Sequence, residues 1–229
     1  MTPERFQKIH EVLTRRQPDL TVLAENVYKT HNIAALTRTC DAVGVYRLHA
    51  VSPGGGFKRN HLAAAGTTKW VCKRLHKDVP DAIDHLRGQG LKILAAHMSP
   101  KARDYREIDY TVPVAIVLGS ELAGVSEATA DLADEHAVIP MRGMVESLNV
   151  SVANALILYE AARQREVKGL YEVSRLPPDE YRLRLFEWCY PRIAGRCRET
   201  GAAYPELDAD GYYHENPLPG GQKRQASGR

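Results

Sequence analysis

The chain has 229 residues, of which 44% are hydrophobic and 26% charged, as in an ordinary soluble globular protein. Its formal net charge of +3 is far from the strongly basic balance of a histone-like chain, so charge alone does not indicate a nucleic-acid partner. No stretch approaches the roughly 18 uninterrupted apolar residues that a membrane-spanning helix needs, which excludes an integral helical membrane protein.

The first twenty residues predict a helix, because Phe6, Ile9 and Leu13 recur at helical spacing. Acidic residues lie among them, and no apolar block precedes a small-residue cleavage site, so we expect no signal peptide. The four cysteines are too scattered for a disulfide framework or for the close pairs of a zinc site: Cys40, Cys72, Cys189 and Cys197. Both observations favour a cytoplasmic protein without a bound metal.

Beyond this helix, short β-branched runs alternate with helical segments. Runs such as VAIVLG are apolar throughout, which indicates strands covered on both faces, as in an α/β protein with a largely parallel sheet. The predicted strands are 20–27, 46–52, 69–75, 91–98, 114–119 and 135–141. The predicted helices of this part are 32–43, 80–88, 126–133 and 149–167.

The C-terminal part predicts a helical extension. Tyr181, Leu185 and Trp188 lie on one helical face, whereas 216–229 has too few apolar side chains to bury and should be disordered. We therefore expect an N-terminal helical extension, an α/β domain, and a C-terminal extension with a disordered tail, at 1–19, 20–167 and 168–229.

The loops after the strands are the first place to look for a site. In open α/β sheets, ligands bind beyond the carboxyl ends of the strands, and here these ends carry SPGGG, MSPKARD, GSELAG and MRGM. Several reactions have no support, because the chain has no dinucleotide fingerprint after its first strand, no Walker-type phosphate loop, no G-x-S-x-G elbow and no metal-ligand spacing.

One polar constellation lies in THNIAALTRTCDAVGV. Asn32 and Arg38 are six residues apart, and at about 100° per residue they lie on different sides of a helix. We expect Asn32 to cap the helix start, Arg38 to project from its middle, and Leu36, Cys40 and Val43 to form its buried stripe. An arginine opposite a buried stripe is ordinarily a solvent-facing charge.

A second constellation is IVLGSELAGVS. Glu121 follows a buried-type strand by two residues and lies between Gly119 and Gly124. Its carboxylate could cap the next helix or pair with an arginine, and the spacing leaves both open.

The third constellation, MVESLNVSVANALILYE, is a helix whose start is unusually polar. Its apolar residues recur at helical spacing and are expected to face the core or a subunit contact: Leu148, Val152, Leu156 and Tyr159. One Ser or Asn would suffice to accept hydrogen bonds from the free N–H groups of the first turn. The surplus raises the hypothesis that this helix start faces a ligand; it comprises Ser147, Asn149, Ser151 and Asn154.

Together the three segments resemble the motifs of the SpoU/TrmH branch of the SPOUT RNA methyltransferases. The resemblance spans roughly residues 20 to 165, and IPMRGMVESLNVSVANAL is its most specific part. It implies an α/β fold with a mostly parallel sheet flanked by helices and a C-terminal deep trefoil knot. It also implies a homodimer with the active site at the subunit interface.

The same resemblance implies 2'-O-methylation of an RNA ribose with S-adenosylmethionine as the cofactor. Length and terminal extensions look most like branch members that act on guanosine 18 in the D-loop of tRNA. Another tRNA position, ribosomal RNA, or a non-catalytic RNA-binding module stay open as alternatives. The implied cofactor-binding residues are Ala96, Leu118, Gly119, Ile139, Met141 and Leu148.

By this resemblance, Arg38 acts on the reacting 2'-hydroxyl, which an RNA has and a DNA lacks. A guanidinium keeps its proton in proteins, so we favour stabilisation of the 2'-oxyanion or a phosphate clamp over general base catalysis. The supporting catalytic residues are expected to be Asn32, Glu121, Ser147 and Asn149. The candidate phosphate contacts in tRNA are Arg15, Arg16, Lys58 and Arg59.

Overall fold

The computed structural model describes residues 1–51, 69–120 and 122–217. The predicted site residues Lys58, Arg59 and Glu121 lie outside the described residues, as does most of the predicted disordered tail. The described residues form two compact units, one within Arg15–Arg175 and one that combines Met1–Thr14 with the described residues from Leu176 onward. The predicted boundaries at residues 19 and 167 stay a prediction.

The larger unit is built on a seven-stranded sheet in its described residues. The strands are β1 Leu20–Glu25, β2 Arg47–Val51, β3 Cys72–His76, β4 Lys92–Ala96, β5 Arg103–Asp104, β6 Val114–Leu118 and β7 Glu135–Val138. Their order is β3-β2-β1-β6-β4-β7-β5, and each of these pairings is parallel. The six predicted strands and the parallel sheet are confirmed. The predicted knot stays a prediction.

Helices cover both faces of this sheet. Among the described residues they are α2 Thr30–Ala42, α3 Val79–Gly88, α4 Glu127–Leu132 and α5 Val150–Val167. Along β1, Val22 and Ala24 join the core that contains residues of α2 and α5, whereas Leu23 points to the opposite core with residues of α3. The apolar strands are therefore buried on both sides, as their composition predicts.

Helix α5 rules out one of the two places predicted for its apolar stripe. Val152, Leu156 and Tyr159 are 46%, 38% and 59% exposed, so their stripe does not face the core of this chain. The buried side is instead the stripe that contains Asn154 and Leu158. Since apolar residues occur on both sides of α5, helical periodicity could not show which side packs against the sheet.

A buried arginine fixes the end of α5 to the sheet. Arg165 is 0% exposed, and its Nη1 donates to Asp19 Oδ1 at 2.7 Å and to Gln17 Oε1 at 2.9 Å. Its Nε donates to the carbonyl of Tyr110 at 2.8 Å, and its Nη2 to the carbonyls of Asp19 and Val112 at 3.2 and 3.0 Å. The guanidinium is thus fully satisfied, which a buried cation requires.

Three histidines meet between β2, β3 and α3. His49 Nδ1 lies 2.8 Å from His76 Nε2, His76 Nδ1 lies 3.1 Å from Asp81 Oδ2, and the His85 ring is 5.3 Å from that of His76. Burial, and then the neighbouring His76, lowers the pKa of His49 to about 3. Burial also lowers the pKa of His76 and of His85. The cluster is therefore uncharged at neutral pH.

We expect acidification to destabilise the fold through His49. The unfolded chain, with a pKa of 6.5, takes up a proton below that pH, whereas the folded chain does so only near pH 3. The contribution of neutral His49 to the free energy of unfolding is therefore fully present above about pH 6.5. It falls as the pH drops toward 3, and about 2 kcal/mol is lost at about pH 5. Urea unfolding at neutral pH and at about pH 5 measures this loss. It should shrink in His49→Gln, and an unchanged loss would contradict the assignment.

The smaller unit contains α1 Pro3–Thr14, α6 Pro178–Cys189 and α7 Pro191–Thr200. Phe6, Ile9 and Leu13 are buried, as their spacing predicts. In α6 Trp188 is buried and Tyr181 and Leu185 are half-buried. The separate helix α7 was not predicted. None of the helices in the described part of the chain is long and apolar enough to cross a membrane.

Candidate functional site

A cleft of about 390 Å³ opens at the carboxyl ends of β4, β6 and β7, which are neighbours in the sheet. Its walls are the loops that follow these strands and the first turns of α5. The structure brings all of the predicted cofactor-binding residues together in this lining: Ala96, Leu118, Gly119, Ile139, Met141 and Leu148. Their part in binding stays a prediction.

The lining of the cleft is mostly apolar. Among the described lining residues Glu146 is the one carboxylate, and neither Lys nor Arg occurs. Apolar walls suit a flat aromatic ring, and a carboxylate in a lining without a described basic residue suits a cationic ligand better than a phosphate. The described lining therefore suits a ligand with an apolar or aromatic part and a positive charge.

The loop after β6 closes tightly on itself. Gly124 N–H donates to the carbonyl of Ser120 at 2.9 Å, and Ala123 N–H donates to Ser120 Oγ at 3.2 Å. A Cβ atom on Gly119 would lie 1.9 Å from the backbone of Gly124. Because backbone cannot give way as a flexible side chain can, only glycine fits at position 119.

The polar start of α5 contacts the start of α2. Asn149 caps α5, since its side chain accepts a hydrogen bond from Ser151 N–H at 2.9 Å, and its Nδ2 donates to Asn32 Oδ1 at 3.4 Å. Ser147 does not cap the helix and instead lines the cleft. The surplus polarity of this segment therefore faces both a ligand cleft and the neighbouring helix.

Asn32 differs from its predicted role. Helix α2 begins at Thr30 with Lys29 at its N-cap, so Asn32 lies in the first turn and does not cap it. Its side chain is 2% exposed and turns to Asn149, while its Nδ2 has no partner among the described residues. The side chain of Asn32 therefore contacts Asn149, although local preference would place it at the N-cap of α2.

Arg38 lies on a different side of α2 from Asn32. Its side chain is exposed and is not among the described residues that line the cleft. The predicted buried stripe of this helix is confirmed, since Leu36, Cys40 and Val43 are buried. The structure therefore brings Asn32 into contact with Asn149 and places Ser147 in the lining of the cleft, whereas Arg38 is exposed and does not line it.

One predicted RNA contact is wrong. Arg16 is 0% exposed, is ion-paired with Asp41, and donates from Nη1 to the carbonyl of Val45 at 3.3 Å. A side chain that is enclosed and paired in this way cannot reach a phosphate. Arg15 is exposed, and its contact with RNA stays a prediction.

Sequence reasoning missed several residues of the cleft. They come from the same loops as the predicted set: His97, Met98, Ser120, Leu122 and Glu146. A usable signal existed for four of them, since His97, Met98, Ser120 and Leu122 follow directly after β4 or β6, where ligands bind in parallel sheets.

Two family models match the chain. Residues 19–159 match the SpoU rRNA Methylase family, and residues 163–215 match the model of the C-terminal part of SpoU rRNA methylases. The first match contains the whole sheet and the cleft.

Individual proteins are also similar. The tRNA (guanosine(18)-2'-O)-methyltransferase of Escherichia coli strain K12 is 50% identical over 213 residues, which cover 92% of this chain and 93% of the relative. The crystal structure of the A. aeolicus TrmH/SpoU tRNA modifying enzyme matches with a TM-score of 0.74 at 41% identity. The match covers 82% of this chain and 96% of the chain in that structure. The AdoMet-bound rRNA methyltransferase of Sinorhizobium meliloti matches with a TM-score of 0.57 at 27% identity, over 67% of this chain and 59% of the chain in that structure.

Proposed function

Because this chain belongs to the SpoU rRNA methylase family, we propose that it transfers the methyl group of S-adenosylmethionine to the 2'-hydroxyl of guanosine 18 in tRNA. The observation that best supports this substrate is the 50% identity to the Escherichia coli relative over nearly the whole of both chains. The cleft and the Asn32–Asn149 contact beside it support the same reaction.

The cleft has the chemistry that the cofactor needs. S-adenosylmethionine supplies a methyl group on a positively charged sulfur. The apolar side chains of Leu118, Ile139 and Leu148 can hold its adenine, and the Glu146 carboxylate favours its positive charge. These residues bind and orient, and positioning of reacting groups can supply much of the lowering of a barrier.

Arg38 provides the positive charge that the described lining of the cleft does not supply. The ribose oxygen gains negative charge as its proton leaves, and a permanent guanidinium stabilises that charge or holds a phosphate that accepts the proton. Ser147 and Asn149 hold the ribose beside the cleft, and the buried Asn32 orients Asn149 by accepting its hydrogen bond. Arg38 does not line the cleft of its own chain, which supports a site completed by a second subunit.

We place the subunit contact on the exposed face of α5. Val152, Leu156 and Tyr159 line a mostly apolar groove together with Tyr105, Ala155 and Glu160. Neighbouring exposed apolar side chains on one helix face are typical of a protein contact rather than of free surface. A second copy of the chain is the occupant that the family resemblance implies, and the groove lies on the helix whose first turns wall the cleft.

We expect Leu156→Asp to dissociate the dimer, because it places a charge in the middle of an apolar contact. Sedimentation velocity measures the oligomeric state. Val173→Asp, which changes an exposed aliphatic side chain outside the groove, is the matched control and should stay dimeric. A monomeric wild type would contradict the proposed dimer, whereas a Leu156→Asp variant that remains dimeric would place the contact elsewhere.

We expect Gly119→Ala to weaken S-adenosylmethionine binding by at least roughly 10-fold, since one tenfold step is only about 1.4 kcal/mol and the added Cβ must displace the loop after β6. Titration calorimetry with the cofactor alone gives the affinity. Gly143→Ala, where a Cβ would meet nothing within 4 Å, is the control and should bind normally. Equal affinities of the two variants would show that the loop does not shape the cleft.

The substrate is tested with labelled methyl donor and two tRNA transcripts that differ only at position 18. The transcript with guanosine 18 should be labelled, and the one with adenosine 18 should not. Equal labelling of both transcripts would contradict the assignment to guanosine 18. Labelling of ribosomal RNA alone would favour ribosomal RNA as the substrate.

A further inference from the structure

An exposed aromatic ring lies next to the site. Tyr28 is 52% exposed, although it lies three residues after the end of β1 and four residues before Asn32. The parallel pairing of Ala24 with Leu118 places the end of β1 beside the end of β6, where the cleft begins. Tyr28 therefore lies at the same edge of the sheet as the cleft.

The backbone around this ring is anchored. Val27 is 0% exposed and Ile33 is 2% exposed, so buried side chains hold the segment on both sides of Tyr28. Asn26 N–H donates to the carbonyl of Val51 at 3.0 Å, and Glu25 Oε2 accepts from Ser126 N–H at 3.2 Å. Tyr28 is thus exposed on a fixed support, which distinguishes it from a side chain on a loose loop.

The surroundings of the ring suit a nucleic acid. Lys29 and His31 are exposed on either side of Thr30, and the first turn of α2 contains no acidic residue that would repel a phosphate. Single-stranded RNA is recognised by stacking its bases on aromatic side chains while cations follow its backbone. The segment 28–31 offers both elements beside the site of methyl transfer.

We propose that Tyr28 is a positioning residue that stacks on a base of the RNA adjoining the methylated nucleotide, with Lys29 and His31 along the RNA backbone. This proposal rests on the proposed function and names the element that holds the substrate loop against the cleft. Stacking tolerates different bases, because every base has a flat face. Tyr28 therefore fixes where the RNA lies and leaves the choice of guanosine to other groups.

Steady-state methyl transfer to the guanosine 18 transcript tests the proposal. Tyr28→Ala should raise KM for tRNA by roughly 5- to 150-fold, the loss seen when a stacked base loses its aromatic partner, with a much smaller change in kcat. Tyr28→Phe and Tyr28→Trp should restore the wild-type KM, whereas Tyr28→Leu, with apolar bulk but no aromatic face, should not. S-adenosylmethionine affinity should be the same in all of these variants.

Salt dependence separates the ring from its neighbour. Lys29→Gln should reduce the slope of log affinity against log salt by roughly 0.7 to 0.9, whereas Tyr28→Ala should leave the slope unchanged. Tyr212→Ala, which removes a ring that is 41% exposed in the smaller unit, is the matched control and should keep the wild-type KM.

Three results would overturn the role of Tyr28: a wild-type KM in Tyr28→Ala, full rescue by Tyr28→Leu, or a monomeric Tyr28→Ala variant, which would make the ring a subunit contact. These results differ from a failure of the proposed function, because in that case the wild-type protein itself would not methylate the transcript.

Discussion

Arg38→Ala is expected to lower kcat for methyl transfer by about 10²- to 10³-fold, the usual cost of removing one group that stabilises developing negative charge. Affinity for S-adenosylmethionine should stay unchanged, because Arg38 is exposed and is not among the described residues of the cleft. Single-turnover methylation of tRNA at saturating cofactor measures the chemical step, and calorimetry measures cofactor binding.

Arg38→Lys tests how the arginine acts. A lysine keeps the charge but loses the planar fork that holds a phosphate or an oxyanion with two donors, so we expect most of the loss to remain. Turnover of Arg38→Lys near the wild-type rate would argue against this geometry, and an Arg38→Ala variant with full activity would remove Arg38 from the mechanism.

Asp19→Ala is expected to destabilise the larger unit by about 3 to 5 kcal/mol, because it leaves the buried Arg165 cation without its carboxylate. Asp19 Oδ1 accepts from Arg165 Nη1 at 2.7 Å, and its Oδ2 accepts from Arg175 Nη2 at 2.5 Å. A loss of this size is a large share of the stability of an ordinary domain. The urea unfolding midpoint, followed at an unchanged slope, gives the value.

The matched control for Asp19 is a surface ion pair of the same chemistry. Arg87 pairs with Asp134 at 2.9 Å, and both side chains are more than a third exposed, so Arg87→Ala should leave stability nearly unchanged, since exposed pairs contribute little. If Asp19→Ala and Arg87→Ala lowered the midpoint equally, the burial of Arg165 would not add to the cost of losing its carboxylate.

The fold could be predicted from sequence where burial is uniform. Residues 114–119 are apolar throughout because β6 is covered on both faces, and this pattern is visible without knowledge of the partners. The outward face of α5 could not be predicted in the same way, because Leu156 and Leu158 are equally apolar and only packing exposes the first and buries the second.

The site divides along similar lines. Motif resemblance identified six residues that line the cleft, and these lie at the carboxyl ends of β4, β6 and β7 and just before α5. It failed for Arg16, since a charged residue in a polar sequence gives no sign that Asp41 will enclose it. The contact of His49 with His76 was equally invisible, because 27 residues separate the two in the chain.

The location of the methyl group tests the central claim most directly. A ribose whose 2'-oxygen is methylated cannot attack the adjoining phosphate, so alkali does not cleave the chain after it. After incubation of the wild-type protein with S-adenosylmethionine and the guanosine 18 transcript, we predict an alkaline hydrolysis ladder with a single gap, at position 18. An unbroken ladder from a methylated transcript would place the methyl group on a base, and a gap at another position would contradict the assignment to guanosine 18.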